Sequence, residues 1–184
     1  MDAEKVRDIM VPLEEYATVP EDATLYEAVV ALEEAQERFE RNRYEHRAVL
    51  VYDQRHDIIG KVSQLDLIKG LETGYRNMGD LKGVTHSGFS SEFLRSMMKK
   101  YELWQSPLDE VCGKAAHIKV KDIMAAPLEG EIVDAKSSLN EAIHMLVMGC
   151  RQSLLVLEKG SIVGILRLSD VFGEICRQIK ACRV

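Results

Sequence analysis

The chain repeats itself, and that duplication restricts the fold more than any single motif does. Val6-Arg7-Asp8-Ile9-Met10 returns as Val120-Lys121-Asp122-Ile123-Met124, 114 residues later. At that spacing Val19 matches Val133, Leu25 matches Leu139, Glu27 and Ala28 match Glu141 and Ala142, and Leu32 matches Leu146. The spacing then falls to 105, aligning residues 48–51 with 153–156, so the first copy carries nine extra residues within the charged stretch 33–46. One further residue in the loop 53–57 brings the spacing to 104, where Gly60 matches Gly164 and Asp66 matches Asp170. A series this ordered, broken only at loops and helix ends, is a duplication rather than chance.

Each copy follows the same order. A short Ile-Met segment leads to a strand, Tyr16-Ala17-Thr18-Val19 or Glu131-Ile132-Val133. A helix comes next, opened by a hydroxyl cap: Thr24 before Leu25, Ser138 before Leu139. In the second copy Leu139, Ala142, Ile143, Leu146 and Val147 share one helical face. Two β-rich runs follow, Ala48-Val49-Leu50-Val51-Tyr52 and Ile58-Ile59-Gly60-Lys61-Val62. Their counterparts are Leu154-Leu155-Val156-Leu157 and Ile162-Val163-Gly164-Ile165-Leu166, and turn-prone loops join each pair as a hairpin. A second helix closes each copy, near 65–72 and 168–180. One unit of roughly 60 residues buries too little surface to stand alone, whereas two packed sheet to sheet solve the problem. The predicted fold is therefore α+β: two β-α-β-β-α repeats, 1–72 and 118–184, with a helical connector, 73–117, between them.

The connector has no counterpart in the repeat. Gly74, Gly79, Gly83 and Gly88 mark its first part as irregular. Ser90 or Ser91 then caps a helix bearing Phe93, Leu94, Met97, Met98, Tyr101 and Trp104. Ser106-Pro107 starts a further short helix, with Asp109-Glu110 favouring its dipole. Two readings stay open: a packed cover, or a partner or self-association surface built on Trp104 and the methionines.

Duplicated D-I-M segments, this strand order and a closing G-x-x-(S/T)-x-x-D resemble the cystathionine-β-synthase (CBS) domain family, in which two copies form a Bateman module. The resemblance covers about residues 5–72 and 117–180. It implies regulatory, non-catalytic binding of an adenosine-containing ligand (AMP, ADP or ATP) between the repeats, with no required cofactor. It also implies a homodimer and, where there is an output, a separate protein target. The family's ribose contacts resemble Gly60-Lys61-Val62-Ser63-Gln64-Leu65-Asp66. Asp66 would accept both ribose hydroxyls, each charge-assisted bond being worth about 1.5–3 kcal/mol. Ser63 either binds a ribose or phosphate oxygen or only caps its helix, with Asp66 as the partner three residues on.

By the same resemblance the adenine walls are Ala17, Thr18, Val49 and Leu50, with Ile132 and Leu154 in the second copy. Lys61, Arg47, Lys119, Lys121 and Arg151 are candidate phosphate cations. The second motif keeps Gly164 and Asp170 but places Arg167 where the family has serine or threonine. That change weakens the case for an equivalent second site. Arg167 either meets a phosphate or makes an ion pair. The alternative function is a protein-interaction adaptor with a vestigial nucleotide site, acting through the inserted helices.

Composition excludes other classes. Forty-six per cent apolar residues is too many for a disordered chain, and a net charge of −6 argues against a nucleic-acid binder. No run approaches the roughly 20 apolar residues of a membrane span. Met1-Asp2-Ala3-Glu4-Lys5 lacks the pattern of a signal peptide, and Cys112, Cys150, Cys176 and Cys182 form no C-x-x-C pair. The expectation is a cytoplasmic chain with reduced thiols and no membrane partner. Gly83-Val84-Thr85-His86-Ser87-Gly88 is not a Walker loop, no G-x-S-x-G occurs, and the five histidines show no metal-ligand spacing. Glu33, Glu34, Glu37 and Glu40 alternate with Arg38, Arg41 and Arg43 as a solvated helix face.

Overall fold

The leading Asp-Ile-Met segments exchange places between the two halves. The computed structural model describes residues 4–39, 45–78, 89–105 and 110–181. In it α1 (Val6–Ile9) and β1 (Val11–Pro12) leave the first copy and join the second. Val6 is fully buried against Val133, Leu139, Leu154 and Val171. The reciprocal segment does the same: Val120 sits in the first core with Val19, Val49, Val51 and Val62. Each half is thus completed by an apolar anchor from the other, which joins their stabilities.

Between these anchors the chain builds two similar sheets. β2 (Thr18–Pro20) runs parallel to β3 (Ala48–Tyr52), which pairs antiparallel with β4 (Ile58–Ser63). A parallel pair needs a crossover, supplied by α2 (Leu25–Arg38). Thr24 Oγ1 accepts from Glu27 N at 3.2 Å while the Glu27 carboxylate accepts from Thr24 N at 2.6 Å, a reciprocal cap. The second half repeats the plan with β5 (Ile132–Asp134), α6 (Leu139–Met148), β6 (Ser153–Glu158) and β7 (Ser161–Arg167). Ser138 caps α6 through Glu141 N. β1 adds an edge to this sheet, giving the order β1-β7-β6-β5 beside β2-β3-β4. α3 (Gln64–Leu71) and α7 (Leu168–Ala181) close the two halves. Val11, Tyr16, Phe39, Leu50, Leu155 and Ile165 form a third core between the sheets.

The exchange explains the glycine of each closing motif. A side-chain carbon at Gly164 would lie 2.4 Å from the Val11 carbonyl oxygen; at Gly60 it would lie 2.8 Å from the Met124 sulfur and 3.1 Å from the Ala125 carbonyl oxygen. Backbone cannot swing aside, whereas a methionine side chain can. Gly164→Ala is expected to cost about 2–3 kcal/mol, and Gly60→Ala less, in denaturant unfolding. Equal costs would show that the exchanged strand does not set the constraint.

The sequence-derived helix starts at Thr24, Ser138 and Ser90 all hold, Ser90 Oγ accepting from Phe93 N at 3.1 Å ahead of α4 (Ser91–Lys100). α2 ends at Arg38, with Phe39 extended and buried, so the charged helix is shorter than the sequence suggested. α5 (Val111–Ala115) follows Glu110. The connector is fastened to the first half by Glu72, whose carboxylate accepts from Gly74 N at 3.0 Å and Trp104 N at 2.8 Å. These two bonds hold its pKa below the usual range. The Trp104 indole N–H donates to Tyr75 Oη at 3.1 Å. Gly79, Gly83, His86 and Gly88, the Ser106–Asp109 helix start, Glu40, Arg41, Arg43 and Cys182 lie outside the described residues. Among the described residues no helix is long and apolar enough to cross a membrane, and no His/Cys/Asp/Glu group is placed to hold a metal.

Candidate functional site

β4 alternates its side chains, so Lys61 and Ser63 emerge on one face while Val62 enters the core. The strand runs directly into α3, and Ser63 is its cap. Ser63 Oγ accepts from Asp66 N at 3.2 Å, and Asp66 Oδ2 accepts from Ser63 N at 3.0 Å and Ser63 Oγ at 2.6 Å. The capping role is therefore present. It uses one carboxylate oxygen of Asp66, and among the described residues no donor engages Oδ1.

Both residues face a cavity of about 370 Å³ between the repeats. Arg47, Ala48, Lys61, Ser63, Leu65 and Asp66 line it from the first copy, with Tyr16 and Glu45. Glu131, Cys150, Arg151, Gln152, Ser153, Arg167 and Ser169 line it from the second. Glu131, on the turn before β5, is buried and crosses the gap to Lys61 Nζ at 3.5 Å. The same carboxylate oxygen accepts from the Arg151 guanidinium. A cation–carboxylate–cation chain thus joins the repeats beside the Ser63–Asp66 turn.

The second closing motif is built differently. Arg167 Nε and Nη2 each meet an oxygen of Asp170 at 2.5 Å, a two-pronged pair with side chains only 5% and 14% exposed. Nη1 lies 3.2 Å from His46 Nδ1, and the guanidinium covers the Phe39 ring at 5.1 Å. Tyr16 meets the His46 ring edge-on at 4.3 Å. Arg167 makes the ion pair with Asp170, and Asp170 faces the edge near Asp8 and Glu174 rather than the main cavity.

This burial has titration consequences. Desolvation raises Tyr16 to about 12 against the pull of Arg167. Burial, then the Arg167 charge, lowers His46 from 6.5 to about 4. The unfolded chain therefore takes up the proton first, and His46 contributes stability that is intact above pH 6.5 and lost as pH falls toward 4. In urea titrations at a series of pH values, His46→Asn is expected to flatten this part of the profile. An unchanged slope would mean that His46 titrates normally.

Of the residues proposed from sequence, Lys61, Ser63, Asp66 and Arg167 meet at the cavity, together with Arg47 and Arg151. Ala17, Val49, Leu50 and Leu154 are buried core, with Thr18 and Ile132 on β2 and β5 beside them. Their neighbours Tyr16, Ala48 and Ser153 supply the lining instead. Lys121 pairs with Asp22 at 2.6 Å on an exposed surface, and Lys119 bridges Thr24. Glu131 was missed. The repeat itself carries the signal: at the spacing of 114 it occupies the position of buried Ala17, where a carboxylate demands a partner.

Comparison with known proteins agrees with this architecture. The CBS domain family model matches residues 6–73 and 120–177. This chain belongs to the CBS domain family. Among solved structures it resembles the CBS domain of a CBS domain-containing membrane protein from Sphaerobacter thermophilus, at 18% identity and TM-score 0.60, covering 93% of this chain and 87% of that one. It also resembles CBSX2 in complex with AMP, at 21% identity and TM-score 0.59, covering 96% and 99%. A third neighbour is the CBS domain of the bacterial CNNM/CorC family Mg2+ transporter in complex with ATP, at 20% identity and TM-score 0.56, covering 94% and 87%. No curated protein sequence matches the chain.

Proposed function

We propose that this chain is a non-catalytic regulatory module that binds an adenosine-containing nucleotide in the cleft between its repeats. The observation that carries this reading is the Ser63–Asp66 turn, open to a cavity that also holds Lys61, Arg47 and Arg151. Its counterpart Asp170 is already occupied by Arg167. One ribose site per chain follows, with Asp66 accepting the hydroxyls and the cations facing the phosphate. The adenine lies toward the strand starts at Thr18 and Ala48, with the buried Ala17, Val49, Leu50 and Leu154 and the half-buried Ile132 giving the wall its shape. That CBSX2 has been solved with AMP and the CNNM/CorC CBS domain with ATP supports the ligand class.

The signal would be a change in the arrangement of a homodimer, driven by a difference in ligand affinity between two states. α3 and α7 expose Leu65, Ile68, Phe172 and Ile179, apolar residues suited to a second copy. A separate protein target would read that change. This reading places the chain in a reducing cytoplasm, where Cys112, Cys150 and Cys176, free thiols here, stay reduced. Calorimetry with AMP, ADP, ATP and S-adenosylmethionine tests the binding, with sedimentation velocity testing the dimer. Saturable one-to-one binding by at least one nucleotide is expected. Failure of all four to bind a folded sample would favour the adaptor reading, which α4 supports because Phe93, Leu94 and Met98 are exposed.

A further inference from the structure

The chain Lys61–Glu131–Arg151 is one-sided. Under the repeat, Glu131 corresponds to Ala17, Arg151 to His46 and Lys61 to Ile165. The charged trio therefore stands beside Ser63 and Asp66, while the equivalent positions on the other side hold Ala17, His46 and Ile165 next to the closed Arg167–Asp170 pair. Lys61 and Ser63 lie two residues apart on one strand, so their origins are separated by roughly 6.7 Å. That separation suits the step from a ribose to its 5′-phosphate. The trio thus stands where the phosphate tail of a ribose held by Asp66 would arrive.

Two cations there share one carboxylate. Glu131 is buried, Lys61 Nζ lies 3.5 Å from its Oε1, and the Arg151 Nη1 donates to the same oxygen. Arg151 Nε is buried with no hydrogen-bond partner among the described residues. Resting on the nucleotide reading above, we propose that Glu131 is a resident counter-anion that makes the cleft grade adenosine ligands by phosphate charge, taking a nucleoside monophosphate in preference to a triphosphate. A monophosphate carries about −1.5 to −2 at neutral pH and shares both cations with the carboxylate. A triphosphate brings further negative charge, which Arg47 offsets only in part, against Glu131, Glu45 and Asp66 in a partly dewatered cleft, where like charges repel strongly.

The test is calorimetry of adenosine, AMP and metal-free ATP on the wild-type chain and on Glu131→Gln, at fixed ionic strength. Wild type is expected to bind AMP more tightly than ATP. Glu131→Gln is expected to tighten AMP about tenfold and ATP about a hundredfold, with adenosine within about twofold. A folded Glu131→Gln with an unchanged ATP-to-AMP ratio overturns the inference while leaving the nucleotide site standing. So does an equal loss for all three ligands, the mark of a merely structural residue. Failure of all three to bind wild type overturns the nucleotide reading and this inference with it. Arg151→Gln runs the same test with the opposite sign, weakening ATP more than AMP and sparing adenosine, should Glu131→Gln not fold.

Discussion

Arg167→Ala is expected to destabilise the chain by about 3–5 kcal/mol, because it leaves the Asp170 carboxylate charged and largely buried without its partner. At roughly 2–4 °C per kcal/mol for a chain of this size, the melting temperature falls by roughly 6–20 °C. The removed guanidinium also covers Phe39 and approaches His46, so packing is lost with the charge. Arg167→Ala combined with Asp170→Ala is expected to recover much of the loss, since no orphaned charge remains. Lys121→Ala supplies the contrast. Its pair with Asp22 is exposed, and removing it changes stability by less than about 1 kcal/mol. Chemical denaturation of the three variants against wild type decides the matter. Similar small effects for Arg167 and Lys121 would show that the Arg167–Asp170 pair does not organise the second motif.

Asp66→Ala is expected to weaken nucleotide binding by roughly a hundredfold or more, the loss of two charge-assisted hydrogen bonds to the ribose. Asp170→Ala is expected to leave binding within about threefold, because its carboxylate is already committed to Arg167. The comparison is informative because the two aspartates are equivalents in the duplication and differ only in their neighbours. Asp66 also closes a helix cap, so its removal costs about 1 kcal/mol of stability as well. Ser63→Ala separates the roles: it removes the hydroxyl but keeps the carboxylate, and so should cost more in stability than in ribose affinity. Calorimetry with parallel melting curves reads both quantities. Equal losses in Asp66→Ala and Asp170→Ala would mean that the two halves bind alike.

Much of this architecture was legible because the duplication checks itself. A strand or helix start suggested in one copy had to recur in the other, and Thr24 with Ser138 shows how well that worked. The exchange of the leading segments was not legible. Val6 and Val120 are equally apolar and equally suited to either core, so the sequence cannot say which half each completes. The candidate site divided along a similar line. Lys61, Ser63 and Asp66 are neighbours in sequence and share one strand-to-helix turn, so motif and geometry coincide. Glu131 and Arg151 reach that turn only through the packing of one sheet on the other. His46 and Phe39 were hidden for another reason. Both lie in the stretch 33–46 of the first copy, where a charged pattern suggested solvent, yet they turn inward against Arg167.

The most direct measurement is a crystal structure of the chain with AMP bound. The account predicts both ribose hydroxyls within hydrogen-bond distance of the Asp66 carboxylate and the phosphate beside Lys61 and Arg151. A ribose seated on Asp170, or AMP held away from the cleft between the repeats, would contradict it.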